Sequence, residues 1–114
     1  MHELGIVFAM VDVLEDAAKK NDLSHITKVT VELGEVSGVV TDFFEDAWQW
    51  ASSKNDLLRG AELEVLVAHA QTVCNACGKT YPTVEFGKTC PHCGSLETEL
   101  LYGRELEIVS IEAE

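Results

Sequence analysis

Basic residues are scarce in this chain: 8 Lys and Arg stand against 20 Asp and Glu, for a net charge of −12 with neutral histidines. A phosphate backbone is bound by a basic face, so nucleic acid is excluded as the main partner. Long apolar runs are also missing. The longest, Ile6 to Val11, has six residues, where a membrane helix needs roughly 20, so no membrane span is expected. The start, Met1-His2-Glu3-Leu4, lacks a basic n-region, and no small-residue cleavage site follows an apolar segment. It is read as the mature start of a cytoplasmic protein. No catalytic pair, phosphate loop or Ser/His/Asp arrangement stands out. What is present, 46% apolar and 25% charged residues over 114 positions, suits a packed globular domain rather than a disordered acidic tail.

All four cysteines fall in one stretch, Cys74, Cys77, Cys90 and Cys93, with the spacing C-x2-C-x12-C-x2-C. Paired cysteines at this spacing read as metal ligands before disulfides, because a reducing compartment does not maintain structural disulfides. Thiolates at i and i+3 reach one ion while each turn closes around it. Gly78 and Gly94 follow the pairs, allowing the positive φ of a tight turn whose N–H groups point at sulfur. Two knuckles of a zinc ribbon are expected. Four sulfurs leave no position for water, so the Zn(II) is structural rather than hydrolytic. A thioredoxin-like role is disfavoured because neither pair sits in a βαβ context. A second reading stays open: C-x2-C-G with Tyr81 shortly after, then C-P-x-C-G, is similar to the rubredoxin pattern of an FeS4 electron carrier. The short separation of the knuckles and the large remaining chain count against it. A third is a zinc-ribbon interaction module with no transferable metal.

Elsewhere, periodicity supplies the elements. Leu4, Val7, Phe8, Val11, Leu14, Ala17 and Ala18 recur at helical spacing over residues 2–20, and Lys19 and Lys20 suit a last turn. From Ile26 the period becomes two, with Val29, Val31 and Leu33 on one face of a strand that stops at Gly34. After the loop Gly34-Glu35-Val36-Ser37-Gly38, Thr41 is the expected N-cap of a helix over 42–53, with Phe43, Phe44, Ala47, Trp48 and Ala51 as its apolar positions. Strands are expected over 61–69, through Leu63, Val65 and Val67, and over 105–112. The fold class is α+β: two helices packed on a three-stranded sheet, with an inserted zinc-ribbon lobe. Residues 1–71 and 99–114 form the α/β lobe and 72–98 the ribbon lobe. The ribbon's large apolar residues, Val73, Tyr81, Val84, Phe86 and Leu96, are too few to hold it without a metal, so its folding and metal binding are coupled.

Histidines complete the candidates. His25 and His69 flank strands and read as surface groups, and His92 lies inside a knuckle that already has two sulfurs. His2 differs because it follows the chain start. The Met1 amine, the His2 backbone nitrogen and its imidazole can close fused five- and six-membered chelate rings around one ion. Such a near-planar nitrogen set suits Ni(II) or Cu(II).

The Met1-His2-Glu3 start, the segment Gly34-Glu35-Val36-Ser37-Gly38-Val39 after the first strand, and the two late C-x-x-C pairs together resemble the HypA/HybF family of nickel metallochaperones. The resemblance covers essentially the whole length. It implies a non-enzymatic protein that delivers Ni(II) to the large-subunit precursor of [NiFe]-hydrogenase with the GTPase HypB, and in some members serves urease maturation proteins. Met1, His2 and Glu3 match the nickel-binding start, and Cys74, Cys77, Cys90 and Cys93 match the zinc site. Some relatives place a histidine just after the second knuckle, where this chain has Leu96, and His92 is the nearest substitute. The fourth nickel donor is then the Glu3 backbone nitrogen or carboxylate, or a group from another segment or partner.

Overall fold

The structure, a computed structural model, describes residues 3–114. Its elements run α1 (Glu3–Asn21), β1 (Ile26–Gly34), α2 (Thr41–Ser53), β2 (Glu62–Ala68), β3 (Gln71–Cys74), β4 (Thr80–Pro82), α3 (Thr83–Phe86), β5 (Thr98–Tyr102) and β6 (Leu106–Ala113). One three-stranded sheet has the order β2-β1-β6 and the other β4-β3-β5. This is the expected α+β architecture: two main helices with a three-stranded sheet, and a separate small sheet that carries the cysteines. Two compact units are distinguished. The first takes residues up to Val31, Val39–Leu66 and Glu107–Glu114; the second takes Glu32–Gly38 and Val67–Leu106.

In the first unit α1 buries Val7, Met10, Val11, Leu14 and Ala18. Leu4 and Phe8, expected in that stripe, are 41% and 46% exposed. They lie to one side of it at 100° per residue, whereas Met10 falls between Val7 and Leu14 and joins it. Phe8 instead meets Trp50 of α2 edge to face, ring centroids 6.2 Å apart. α1 ends where Asp22 takes a left-handed φ of 54°. β1 buries Val29, Val31 and Leu33 as its alternation predicts, and Ile26, out of phase with them by a slip near Thr27, is buried as well. As the central strand it also buries Thr30, whose hydroxyl donates to Glu64 Oε1 at 3.3 Å.

The start of α2 corrects the sequence reading. Thr41 is the first helical residue, and the cap position is the extended Val40, with no side-chain cap. Phe44, Trp48 and Ala51 are buried as expected, but Phe43 is 62% exposed. Phe44 and Trp48, four apart, occupy the core stripe, and Phe43 is turned off it by about one residue's rotation. Trp48 satisfies its buried indole by donating to Ala61 O at 3.1 Å. On the edge strand β2, Leu63 and Val65 are half-buried, while Val67 is exposed because an edge strand has a neighbour on one side only.

In the second unit β3 is central and antiparallel to both neighbours. Thr72 lies opposite Tyr81 of β4 and Leu100 of β5, and the β5 register shifts between Gln71 and Thr72. β5 had no counterpart in the sequence reading. The interior here is small, a cluster of Cys74, Tyr81 and Cys90, while Val84, Phe86 and Leu96 are exposed. Tyr81 spans it, donating its hydroxyl to Gly87 O at 2.9 Å and meeting Phe86 edge to face at 6.0 Å.

The same unit has a junction where three small residues let backbones approach. A Cβ on Gly34 would come within 2.1 Å of Gly103 O, and one on Gly103, at φ +119°, within 2.4 Å of Ala70 Cβ. Gly103 O accepts from Val36 N at 2.8 Å, and Glu35 Oε1 accepts from Ala70 N at 3.0 Å. Glu35 Oε2 also lies 3.2 Å from His69 Nδ1. The Ala70 N–H first, and His69 second, hold the Glu35 carboxyl below its ordinary value. A depressed carboxyl stabilises the fold above its unfolded pKa, and that contribution is lost as pH falls through the folded value. Glu35→Gln is therefore expected to flatten the acid limb of the thermal-midpoint profile below about pH 5. Parallel profiles for the two proteins would remove this role from Glu35.

Candidate metal centre

Two equivalent turns build the centre. In the first, Cys74 ends β3, its N–H donates to Lys79 O at 2.9 Å, and Gly78 N–H closes the turn on Cys74 O at 2.7 Å. In the second, Cys90 N–H donates to Ser95 O at 3.0 Å and Gly94 N–H closes on Cys90 O at 2.8 Å. Gly78 and Gly94 have φ of 78° and 76°, the left-handed values that admit glycine readily. Each turn also aims a backbone N–H at sulfur: Cys77 N at Cys74 Sγ, 3.5 Å, and His92 N at Cys90 Sγ, 3.4 Å.

The turns face each other. The four Sγ atoms lie within 4.8 Å of one another, and among the described residues no other group of three or more His, Cys, Asp or Glu converges in this way. Cys74 Sγ is 3.5 Å from Cys93 Sγ, and Cys77 Sγ is 3.7 Å from Cys90 Sγ. A disulfide would bring sulfurs to about 2.05 Å. Four thiolates at about 2.3 Å from one tetrahedral Zn(II) would be about 3.8 Å apart, close to the separations found. Cys74 and Cys90 are buried, and Cys77 and Cys93 are exposed, so one sulfur of each turn is anchored in the cluster with Tyr81.

Electrostatics point the same way. Burial pushes the Cys90 thiol up, but the N–H groups of Cys93 and His92 and the neighbouring thiols pull it down to about 7. Cys93 accepts from Ser95 N–H, yet the Cys74 thiol, burial, and Cys90 and Cys77 push it up to about 12. Sulfurs this close do not all ionise by themselves, and a divalent cation is what lets four thiolates coexist. The donor set fits a structural Zn(II) held by Cys74, Cys77, Cys90 and Cys93, which would supply folding energy to a unit with a small core.

The other candidates lie apart from this centre. Met1 and His2 fall outside the described residues. Glu3 opens α1, and its Oε2 accepts from Val40 N at 3.2 Å. His25 Nε2 pairs with Arg59 O at 2.8 Å, and His69 is engaged by Glu35. Only His92 belongs to a knuckle, where its side chain is exposed. Sequence reasoning missed Glu35; its one signal was an acidic residue directly after a strand-ending glycine. No helix among the described residues is long and apolar enough to cross a membrane.

Comparison with known proteins gives a consistent result. Residues 1–113 match the family model described as hydrogenase/urease nickel incorporation, metallochaperone, hypA. A hydrogenase maturation factor HypA from Chlorobium phaeobacteroides (strain BS1) is 35% identical over 114 residues, covering 100% of both chains. One from Aquifex aeolicus (strain VF5) is 33% identical, covering 100% of this chain and 98% of its own. The solution structure of the Ni metallochaperone HypA from Helicobacter pylori superposes with a TM-score of 0.76 at 25% identity, over 99% of this chain and 97% of that one.

Proposed function

As the chain belongs to the HypA family, non-enzymatic nickel metallochaperones of hydrogenase maturation, we propose that it binds Ni(II) at its N-terminus and delivers it to the [NiFe]-hydrogenase large-subunit precursor. The observation that carries this reading is the family match over residues 1–113, which takes in both the Met-His-Glu start and the four cysteines. Nickel is cargo and zinc is resident. The Met1 amine, the His2 backbone nitrogen and the His2 imidazole supply three donors in fused chelate rings. Glu3 supplies the fourth. Its Oε2 accepts from Val40 N at 3.2 Å, and the candidate donors are its backbone nitrogen and its carboxylate.

Cys74, Cys77, Cys90 and Cys93 hold Zn(II) as a separate, closed set. Since this chain carries no phosphate loop, the GTPase HypB supplies nucleotide-driven release in the cytoplasm, and urease maturation proteins are further recipients. The electron-carrier and interaction-module readings give way to this one.

The test uses untagged, zinc-loaded protein charged with Ni(II) and mixed with the large-subunit precursor and HypB. Nickel is expected to move to the precursor while zinc stays with the cysteines, read by elemental analysis after separation. Nickel retained on this chain with all partners present, or a red protein holding iron and no zinc, would overturn the proposal.

A further inference from the structure

We infer that the second unit carries a groove that binds a peptide carboxylate between Lys88 and Arg104. This does not depend on the nickel reading. The groove is a cavity of about 610 Å³, within the range of small-ligand sites. Both cations line it, and no carboxylate does. That is notable in a chain with 20 acidic residues and 8 basic ones. Neither Lys88 nor Arg104 forms an ion pair among the described residues, although Lys20, Lys28 and Arg59 all do. The nearest acid in sequence, Glu105, lies beside Arg104 without forming an ion pair: its Oε2 accepts from the N–H groups of Gly103 and Arg104 at 3.0 and 3.1 Å, and the Gly103 N–H first, with the Arg104 charge a smaller cause, holds its carboxyl below its ordinary value.

The walls are held in place. Thr98 donates its hydroxyl to Lys88 O at 2.7 Å, which ties the segment bearing Lys88 to β5. The hydroxyls of Thr72 on β3 and Thr83 on α3 pair at 2.7 Å, and Thr72 is 4% exposed. Leu100 and Leu96 add apolar lining, and Leu96 is 72% exposed. Two exposed charges beside a partly apolar wall describe the ligand: one anionic group on an apolar stem.

Peptide carboxylate fits this better than inorganic phosphate. Phosphate sites usually offer converging backbone N–H groups, but here the N–H of Gly87 is bonded to Thr83 O, that of Thr83 to Ala70 O, and that of Thr98 to Leu96 O. Three of the lining N–H groups are therefore already engaged, and the two charged side chains are the strongest donors. Arg104 can grip a carboxylate with two parallel bonds while Lys88 supplies a point charge, and a neighbouring leucine of the ligand would cover Leu96 and Leu100.

The test titrates zinc-loaded full-length protein with acetyl-Leu-Glu-Leu-amide and follows backbone amide shifts by NMR. Saturable shifts at Thr72, Thr83, Gly87 and Leu100 are expected. Acetyl-Leu-Gln-Leu-amide, and the Lys88→Gln/Arg104→Gln double variant with the Glu peptide, should each bind about tenfold more weakly. Both substituted residues are exposed, so the variant retains the fold. Inorganic phosphate is expected to bind more weakly than the Glu peptide. Equal affinity for the Glu and Gln peptides, an unaffected double variant, the absence of saturable shifts, or phosphate binding as tight as the peptide would overturn the proposal.

Discussion

Cys77→Ala is expected to unfold the second unit and leave the first largely intact. Cys77 is exposed, so the substitution removes a metal ligand with little direct loss of packing. Structural Zn(II) contributes on the order of 10 kcal/mol to small zinc-dependent folds at neutral pH, as much as the whole stability of a typical domain. Around the cysteines the second unit has a small buried cluster of Cys74, Tyr81 and Cys90, too little to hold the knuckles without that contribution. Limited proteolysis should therefore cut within about residues 70 to 100, with zinc lost by elemental analysis, while α1 and α2 stay protected. Cys90→Ala should do the same, adding the loss of a buried side chain. A Cys77→Ala protein that keeps its protease resistance would show that packing, not the metal, holds this unit. Cleavage spread evenly along the chain would show one cooperative core.

His2→Ala is expected to abolish high-affinity nickel binding and leave zinc in place, because the two metals use disjoint ligands. Losing the imidazole removes one donor and opens a chelate ring, so affinity should fall at least about a hundredfold. An uncleaved N-terminal tag should do comparable damage, since it turns the Met1 amine into a neutral amide. Lowering pH from about 7.5 to about 6 should weaken binding as protons compete for the imidazole and the amine. His25→Ala and His69→Ala serve as controls, because their rings are held by Arg59 O and by Glu35. Calorimetric titration with Ni(II), and zinc content measured in parallel, read every arm. Nickel affinity that survives both His2→Ala and a blocked amine would move the site to His92 and the cysteines.

Periodic side chains made most of the fold legible. The alternation of Val29, Val31 and Leu33 is strong because these side chains share one buried face of a central strand, and the heptad-like spacing of α1 placed that helix within a residue of its ends. What failed were positions decided by neighbours. Phe8 and Phe43 carry the right chemistry for a core, but rotation about the helix axis puts them beside the buried stripe, a difference that spacing of three or four residues cannot resolve. The Thr41 cap failed because Val40 takes the extended cap conformation without a side-chain acceptor. β5 was illegible because Thr98-Glu99-Leu100-Leu101-Tyr102 has no clean alternation, and its pairing with β3 is set by a register shift. The four cysteines were the most legible feature of all, since C-x-x-C-G specifies its own turn. Glu35 and Gly103 were not, because each meets its partner only through the topology.

Gly34 and Gly103 also bear on the order in which the protein is completed during synthesis. Gly34 emerges early, yet the O atom a Cβ there would strike belongs to Gly103, near the end of the chain. The knuckles, by contrast, close through contacts between near neighbours, Gly78 to Cys74 and Gly94 to Cys90. Short loops close faster than long ones. Each cysteine turn is therefore expected to close before the junction around Ala70 is sealed, whereas the metal site itself needs both turns brought together.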